Sequence, residues 1–72
     1  MTRLDGQVIK RTRYARNMTQ RQLGHLIGKT ESYVSHVENG RITGTRNPLV
    51  AERIARALGL EIADLIIEDP PK

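Results

Sequence analysis

Gly24 to Thr30 reads GHLIGKT, and Gly-Lys-Thr is how the commonest phosphate-binding loop ends. That loop needs an earlier glycine five positions before Gly28, where this chain has Leu23. Counting from Gly24 instead leaves the loop one residue short, and a helical pattern stands where the loop needs a strand. The two histidines, His25 and His36, fall on separate predicted helices, and cysteine is absent. Their spacing therefore has no metal-ligand geometry behind it. Ser35 and His36 are neighbours that diverge by about 100° around a helix, and no carboxylate is placed to orient His36 as a base. The reading is of no enzyme, no metal and no cofactor.

A different chemistry fits the stretch that follows, TESYVSHVENG. If Val34 and Val37 face a core, then Ser32, Ser35 and His36 point away from it, with Glu31 and Tyr33 on the flanks. Such a face is small and rich in hydrogen-bonding groups. It is either an ordinary wet helix surface or a face shaped to enter a groove and touch base edges.

Periodicity sets the elements that would hold this face. Helix 1 is expected over Leu4 to Arg16, with Leu4, Val8, Ile9, Thr12 and Ala15 on one side. Asn17 serves as a left-handed stop. Thr19 is an N-cap with Gln22 three residues on, the spacing of a capping box, and Met18 precedes it as a staple. Helix 2 runs from Gln20 to Ile27, buries Leu23 and Ile27, and ends at Gly28. Thr30 caps helix 3, which runs to Asn39 before Gly40. The polar loop RITGTRN follows, and Asn47-Pro48 opens helix 4. That helix runs to Leu58 with Val50, Ile54, Ala57 and Leu58 inward. Helix 5 is expected over Glu61 to Ile67 with Ile62, Leu65 and Ile66 inward, and no strand is expected. Residues 1–68 read as one domain and 69–72 as a flexible acidic, proline-containing tail.

The chain's 72 residues allow one small domain, and with neither Phe nor Trp its core must be aliphatic. No apolar run is long enough to span a membrane, and no signal-peptide pattern opens the chain. The absence of cysteine suits a cytoplasmic setting. Net charge is +4, but residues 1–60 carry eleven Lys or Arg against four acids, a balance of +7. Residues 61–72 carry one Lys against four acids, −3. Nine of the twelve cations are Arg, whose planar fork pairs well with phosphate oxygens. A basic body of this kind is either a solvated surface or a nucleic-acid footprint.

Two short helices joined by a tight turn at Gly28 and Lys29 form a helix-turn-helix unit, and bulk at Gly24 would keep the two apart. MTQRQLGHLIGKTESYVSHVENG resembles the helix-turn-helix of the phage repressor and Cro family. Thr19-Gln20, Leu23, Ile27, Gly28, Thr30, Val34, Ser35, Val37 and Glu38-Asn39-Gly40 carry the resemblance. IARALGL and EIADLI extend it through helices 4 and 5. Departures are Gly24 where the family usually has Ala, Leu26 where it usually has a polar residue, and a long loop before helix 4.

The resemblance implies an all-α, compact five-helix, lambda-repressor-like domain that binds double-stranded DNA as a sequence-specific transcription regulator. Helix 3 would lie in the major groove of an operator, with Glu31, Ser32 and His36 at base-contacting positions. Thr19, Gln20, Arg21, Lys29, Tyr33, Ser35, Arg41, Thr43 and Arg46 would meet the DNA backbone. Arg13 and Glu38 would pair and brace helix 1 against helix 3. One helix reads few base pairs, so a homodimer is expected, with Leu60 and Ile67 as spare apolar residues for its interface. A Cro-like phage repressor is the preferred role. A restriction–modification controller protein or an autorepressing antitoxin is the alternative, and a protein-interaction adaptor is the reading from another class. No membrane and no small-molecule substrate are expected as partners.

Overall fold

The computed structural model describes residues 2–42 and 48–68. Five helices carry the fold: α1 (Gly6–Ala15), α2 (Gln20–Ile27), α3 (Glu31–Glu38), α4 (Pro48–Leu58) and α5 (Ile62–Leu65). A two-stranded antiparallel ribbon, β1 (Thr2–Leu4) with β2 (Ile66–Glu68), ties the ends of the domain together. Its register pairs Thr2 with Glu68, Arg3 with Ile67 and Leu4 with Ile66. Asp5 extends it by donating its backbone N–H to the Leu65 carbonyl at 2.6 Å.

Helices this short are marginal alone, so their ends are fixed by specific contacts. Asp5 caps α1 by accepting from the backbone N–H groups of Gln7 and Val8 at 3.1 and 3.3 Å. Thr19 and Gln22 form a full capping box on α2. The Thr19 hydroxyl accepts from Gln22 N–H at 3.0 Å, and the Gln22 side chain accepts from Thr19 N–H at 2.8 Å. Thr30 caps α3 through Tyr33 N–H at 3.1 Å. One device closes all four longer helices. A left-handed residue (Asn17, Gly28, Gly40 or Gly59) is followed by a backbone N–H that reaches the carbonyl five residues back. At Gly28, φ is 73°, and Lys29 N–H donates to Gly24 C=O at 2.8 Å. The chain thereby turns from α2 into α3 across Gly28, Lys29 and Thr30.

The inward faces meet in one aliphatic core. Ile9 from α1, Leu23 and Ile27 from α2, and Val34 and Val37 from α3 lie in it. From α4 come Val50, Ala51, Ile54, Ala55 and Leu58, joined by Leu4 and Leu65 from the two ends. Two glycines set the spacing. A Cβ on Gly24 would sit 2.9 Å from the Thr30 carbonyl oxygen, at the start of α3. A Cβ on Gly6 would collide with the Val37 carbonyl and lie 2.7 Å from that of Glu38.

The ends of the domain differ from the sequence-based expectation. Helix 1 starts at Gly6, not Leu4, because Asp5 caps it and Leu4 is buried from a strand. Ala15, expected on the inner face, is exposed. Helix 5 is a single turn, because Ile66 and Ile67 leave the helix to pair with Leu4 and Arg3. Ile62, expected inward, is 41 % exposed. Strands of three residues are too short to show a period of two, so the sequence carries no signal for either. The Asn47 cap and the tail at 69–72 lie outside the described residues.

Gly6→Ala tests the close approach of α1 to α3. The added methyl meets backbone atoms that cannot rotate away, so a loss of about 1–3 kcal/mol in denaturant unfolding is expected. Unchanged stability would mean that the two helices have room to separate.

Candidate nucleic-acid interface

The outer face of α3 follows from what locks its inner face. Val34 and Val37 are in the core, and Glu38 is 4 % exposed. At about 100° per residue this turns Ser32 and His36 outward, and both are exposed. Asn39, the C-cap, falls on the same side and is exposed as well. Its side-chain amide lies 3.4 Å from the Ser35 hydroxyl. Sequence reasoning passed over Asn39, although its spacing from Ser32 and His36 (seven and three residues) could have revealed it. Glu31 is exposed too, but it turns toward the start of α2, where it lines a depression with Tyr14, Thr19 and Gln20. Tyr33 is half-buried, with the Lys29 ammonium 5.2 Å from its ring centroid. Burial pushes its phenol above the ordinary value, so the hydroxyl stays neutral and able to donate. Arg21, Lys29 and Arg41 are exposed, Arg21 beside Leu26 on the flank of α2, whereas Thr43 and Arg46 lie outside the described residues.

A buried ion pair fixes the orientation of α3. Arg13 on α1 is 5 % exposed. Its Nε donates to Glu38 Oε2 at 2.7 Å and its Nη2 to Glu38 Oε1 at 3.1 Å. Its Nη1 donates to the Met18 carbonyl at 2.8 Å. Gln20 adds a bond that sequence reasoning did not foresee, its amide donating to Glu38 Oε1 at 3.2 Å. The cluster thus ties α1, the α1–α2 turn, the start of α2 and the end of α3. Glu38's hydrogen bonds hold the Arg13 guanidinium above its already high value, against desolvation that pulls the other way. A raised value gives stability that is lost only as pH climbs through it, so Arg13 adds no pH dependence near neutrality.

Among the described residues no His, Asp and Glu cluster is arranged to hold a metal. Nor is any of their helices long and apolar enough to cross a membrane.

The helix-turn-helix family model matches residues 9–65, which span all of the α2–α3 unit and its supports. The chain belongs to the helix-turn-helix family. The matched region is the helix-turn-helix module built by α2 and α3 with the helices around them. Among solved structures, the restriction–modification controller protein C.AhdI from Aeromonas hydrophila is similar at 30% identity with a TM-score of 0.71. That match covers 82% of this chain and 86% of the controller. The clp gene regulator ClgR from Corynebacterium glutamicum matches at 25% identity and a TM-score of 0.72, over 82% of this chain and 61% of ClgR. Hydroxypropylphosphonic acid epoxidase from S. wedmorenis also matches, at 30% identity and a TM-score of 0.72. There 82% of this chain corresponds to 30% of the enzyme. No curated protein matches the chain.

In this helix-turn-helix protein Arg13→Ala and Glu38→Ala each strand a buried charge, so each should cost about 3–5 kcal/mol. A double-mutant cycle by denaturant unfolding should show the double variant losing much less than the sum of the two. Additive losses would show that the pair is energetically uncoupled.

Proposed function

We propose that the protein is a Cro-like repressor that reads an operator with α3 in the major groove. The observation that carries this reading is the outer face of α3. Ser32, His36 and Asn39 are exposed and polar there, while Val34, Val37 and Glu38 anchor the opposite side. A helix held rigidly from behind, with short side chains in front, can approach base edges closely. Ser32 and His36 are the base-reading residues. Glu31, beside Gln20, reaches the edge of the same footprint and can accept from a cytosine amino group. Thr19 and Gln20, at the N-terminus of α2, meet phosphate. Arg21, Lys29, Tyr33, Ser35 and Arg41 hold the DNA backbone, as do Thr43 and Arg46 in the segment before α4.

The chain acts as a regulator without catalysis of its own. Its likeness to the epoxidase spans 30% of that enzyme, so what the two share is a DNA-binding-type module and not the enzyme's whole. Two copies bind one operator, an inverted repeat with half-sites roughly 34 Å apart. Leu60 and Ile67 mark the C-terminal region as the meeting surface, and both are partly buried. A second reading, a restriction–modification controller, is favoured by one observation: the match to C.AhdI covers 86% of that protein.

Site selection from random duplexes separates base readers from backbone holders. Ser32→Ala and His36→Ala should change the preferred bases with the fold intact. Arg41→Ala should weaken all sequences about equally. Identical preferences in wild type and both α3 variants would contradict the groove assignment.

Salt provides an independent check on the basic body. Neutralising about 6 phosphates gives a slope of log affinity against log salt near −5. A flat response over a tenfold salt range would remove the nucleic-acid footprint altogether.

A further inference from the structure

Leu26 is 56 % exposed in the middle of α2. Gly24, which faces the start of α3, is two residues away and so about 200° around the helix. Leu26 therefore sits on the flank of α2 turned away from α3. It is the residue shared by two shallow depressions. One is lined by Arg16, Met18, Arg21 and His25 among others, and the other by Arg53, Arg56 and Ala57. No Asp or Glu lines either. Arg56 shares its charge with Glu52 at 3.0 Å, and the surround remains strongly cationic. An apolar floor with a cationic rim fits an apolar knob flanked by carboxylates.

The chain carries such a knob. Ile62, 41 % exposed on α5, stands between the exposed acids Glu61 and Asp64. The knob and the groove adjoin: the Arg16 guanidinium lies against Gly59, and Glu61 follows two residues later.

We propose that a second copy of this chain docks in the Leu26 groove through its Glu61-Ile62-Asp64 knob. Ile62 of one copy covers Leu26 of the other, and Glu61 and Asp64 face Arg16 and Arg53. Because knob and groove share a border, a two-fold axis at that border lets both copies make the contact at once. The result is a closed pair and not a chain of copies. The inference rests on the homodimer reading above and moves its contact from Leu60 and Ile67, which are partly buried in their own subunit, to residues that project from it. Ser32, His36 and Asn39 line neither depression, while Arg21, one of the proposed backbone-holding residues, lies at the rim of the first.

Charge swapping tests the contact in trans, by sedimentation of the intact chain at low and high salt. One variant is Arg53→Glu with Arg56→Glu, and the other is Glu61→Lys with Asp64→Lys. Alone, each sets like charge against like charge across both contacts, and self-association should weaken at least tenfold. Mixed in equal amounts, each supplies what the other lacks, and a heterodimer should form. Leu26→Gln, a change at an exposed site, should weaken association while leaving unchanged the melting temperature measured at dilutions where wild type and variant are both monomeric. The Asp64 carboxylate accepts from Glu61 N–H at 3.1 Å. If the double lysine variant melts early, Glu61→Lys alone takes its place. A mixture that associates no better than its parts overturns the proposal. A wild-type dimer indifferent to every variant also overturns it while leaving the homodimer standing. A chain that stays monomeric both free and on its operator overturns both.

Discussion

The salt bridge between Arg13 and Glu38 is the constraint around which the domain is arranged. Two charges removed from water carry a large desolvation cost, which is offset only by close geometry and by satisfying the remaining donors and acceptors. Here both conditions hold. The guanidinium engages the carboxylate through two nitrogens at 2.7 and 3.1 Å, and its third bond goes to the Met18 carbonyl. Gln20 completes the carboxylate. Among the described residues no buried side-chain nitrogen or oxygen is left without a hydrogen-bond partner. The pair is directional in a way that aliphatic contacts are not. Sliding α3 along α1, or rotating it, would break bonds whose loss strands a charge. The angle at which α3 presents Ser32 and His36 is therefore fixed from the buried side.

Packing around the pair works by subtraction as much as by addition. Gly6 lets α1 approach the carbonyl end of α3, and Gly24 lets α2 approach its amino end. Glycine inside a helix costs about 1 kcal/mol against alanine, so Gly24 trades local propensity for a shorter distance between helices. The aliphatic core then fills the space from behind. Leu23, Ile27, Val34 and Val37 share one cluster with α4, whose Ile54 and Leu58 are almost wholly buried. A core without large aromatic rings has few single dominant contacts. That makes the end-fixing devices, the caps and the left-handed closures, correspondingly important to eight-residue helices.

Charge is distributed to match this division of labour. α1, α2 and α4 all carry cations, and Arg16 at the C-terminal end of α1 lies against Gly59, two residues before the acid Glu61. The outer face of α3 carries no Lys or Arg between Glu31 and Glu38. The cations therefore surround α3, while the helix itself offers short polar groups at Ser32, Ser35 and His36. The flank of α2 around Leu26 combines cationic and apolar surface away from that face.

The sequence by itself determined the four longer helices, because their signals are local. Thr19 with Gln22, Thr30, and the stops at Asn17, Gly28, Gly40 and Gly59 act within a few residues of themselves. The apolar spacing of Leu23, Ile27, Val34 and Val37 sets which face turns inward, and hence which side of α3 is free. Tertiary structure decided what depends on residues far apart in the chain. Leu4 and Ile66 become strands because each finds the other 62 positions away in the sequence (66 − 4), and neither run is long enough to show a period. Ile62 projects outward because the chain leaves its single helical turn to make that ribbon. Gln20 turns to Glu38, and Asn39 joins Ser32 and His36, through positions that only the packed helices define. Periodicity records which side of an element is apolar. It does not record which element that side will meet, because that choice is made by distances and hydrogen bonds that exist only in the folded chain.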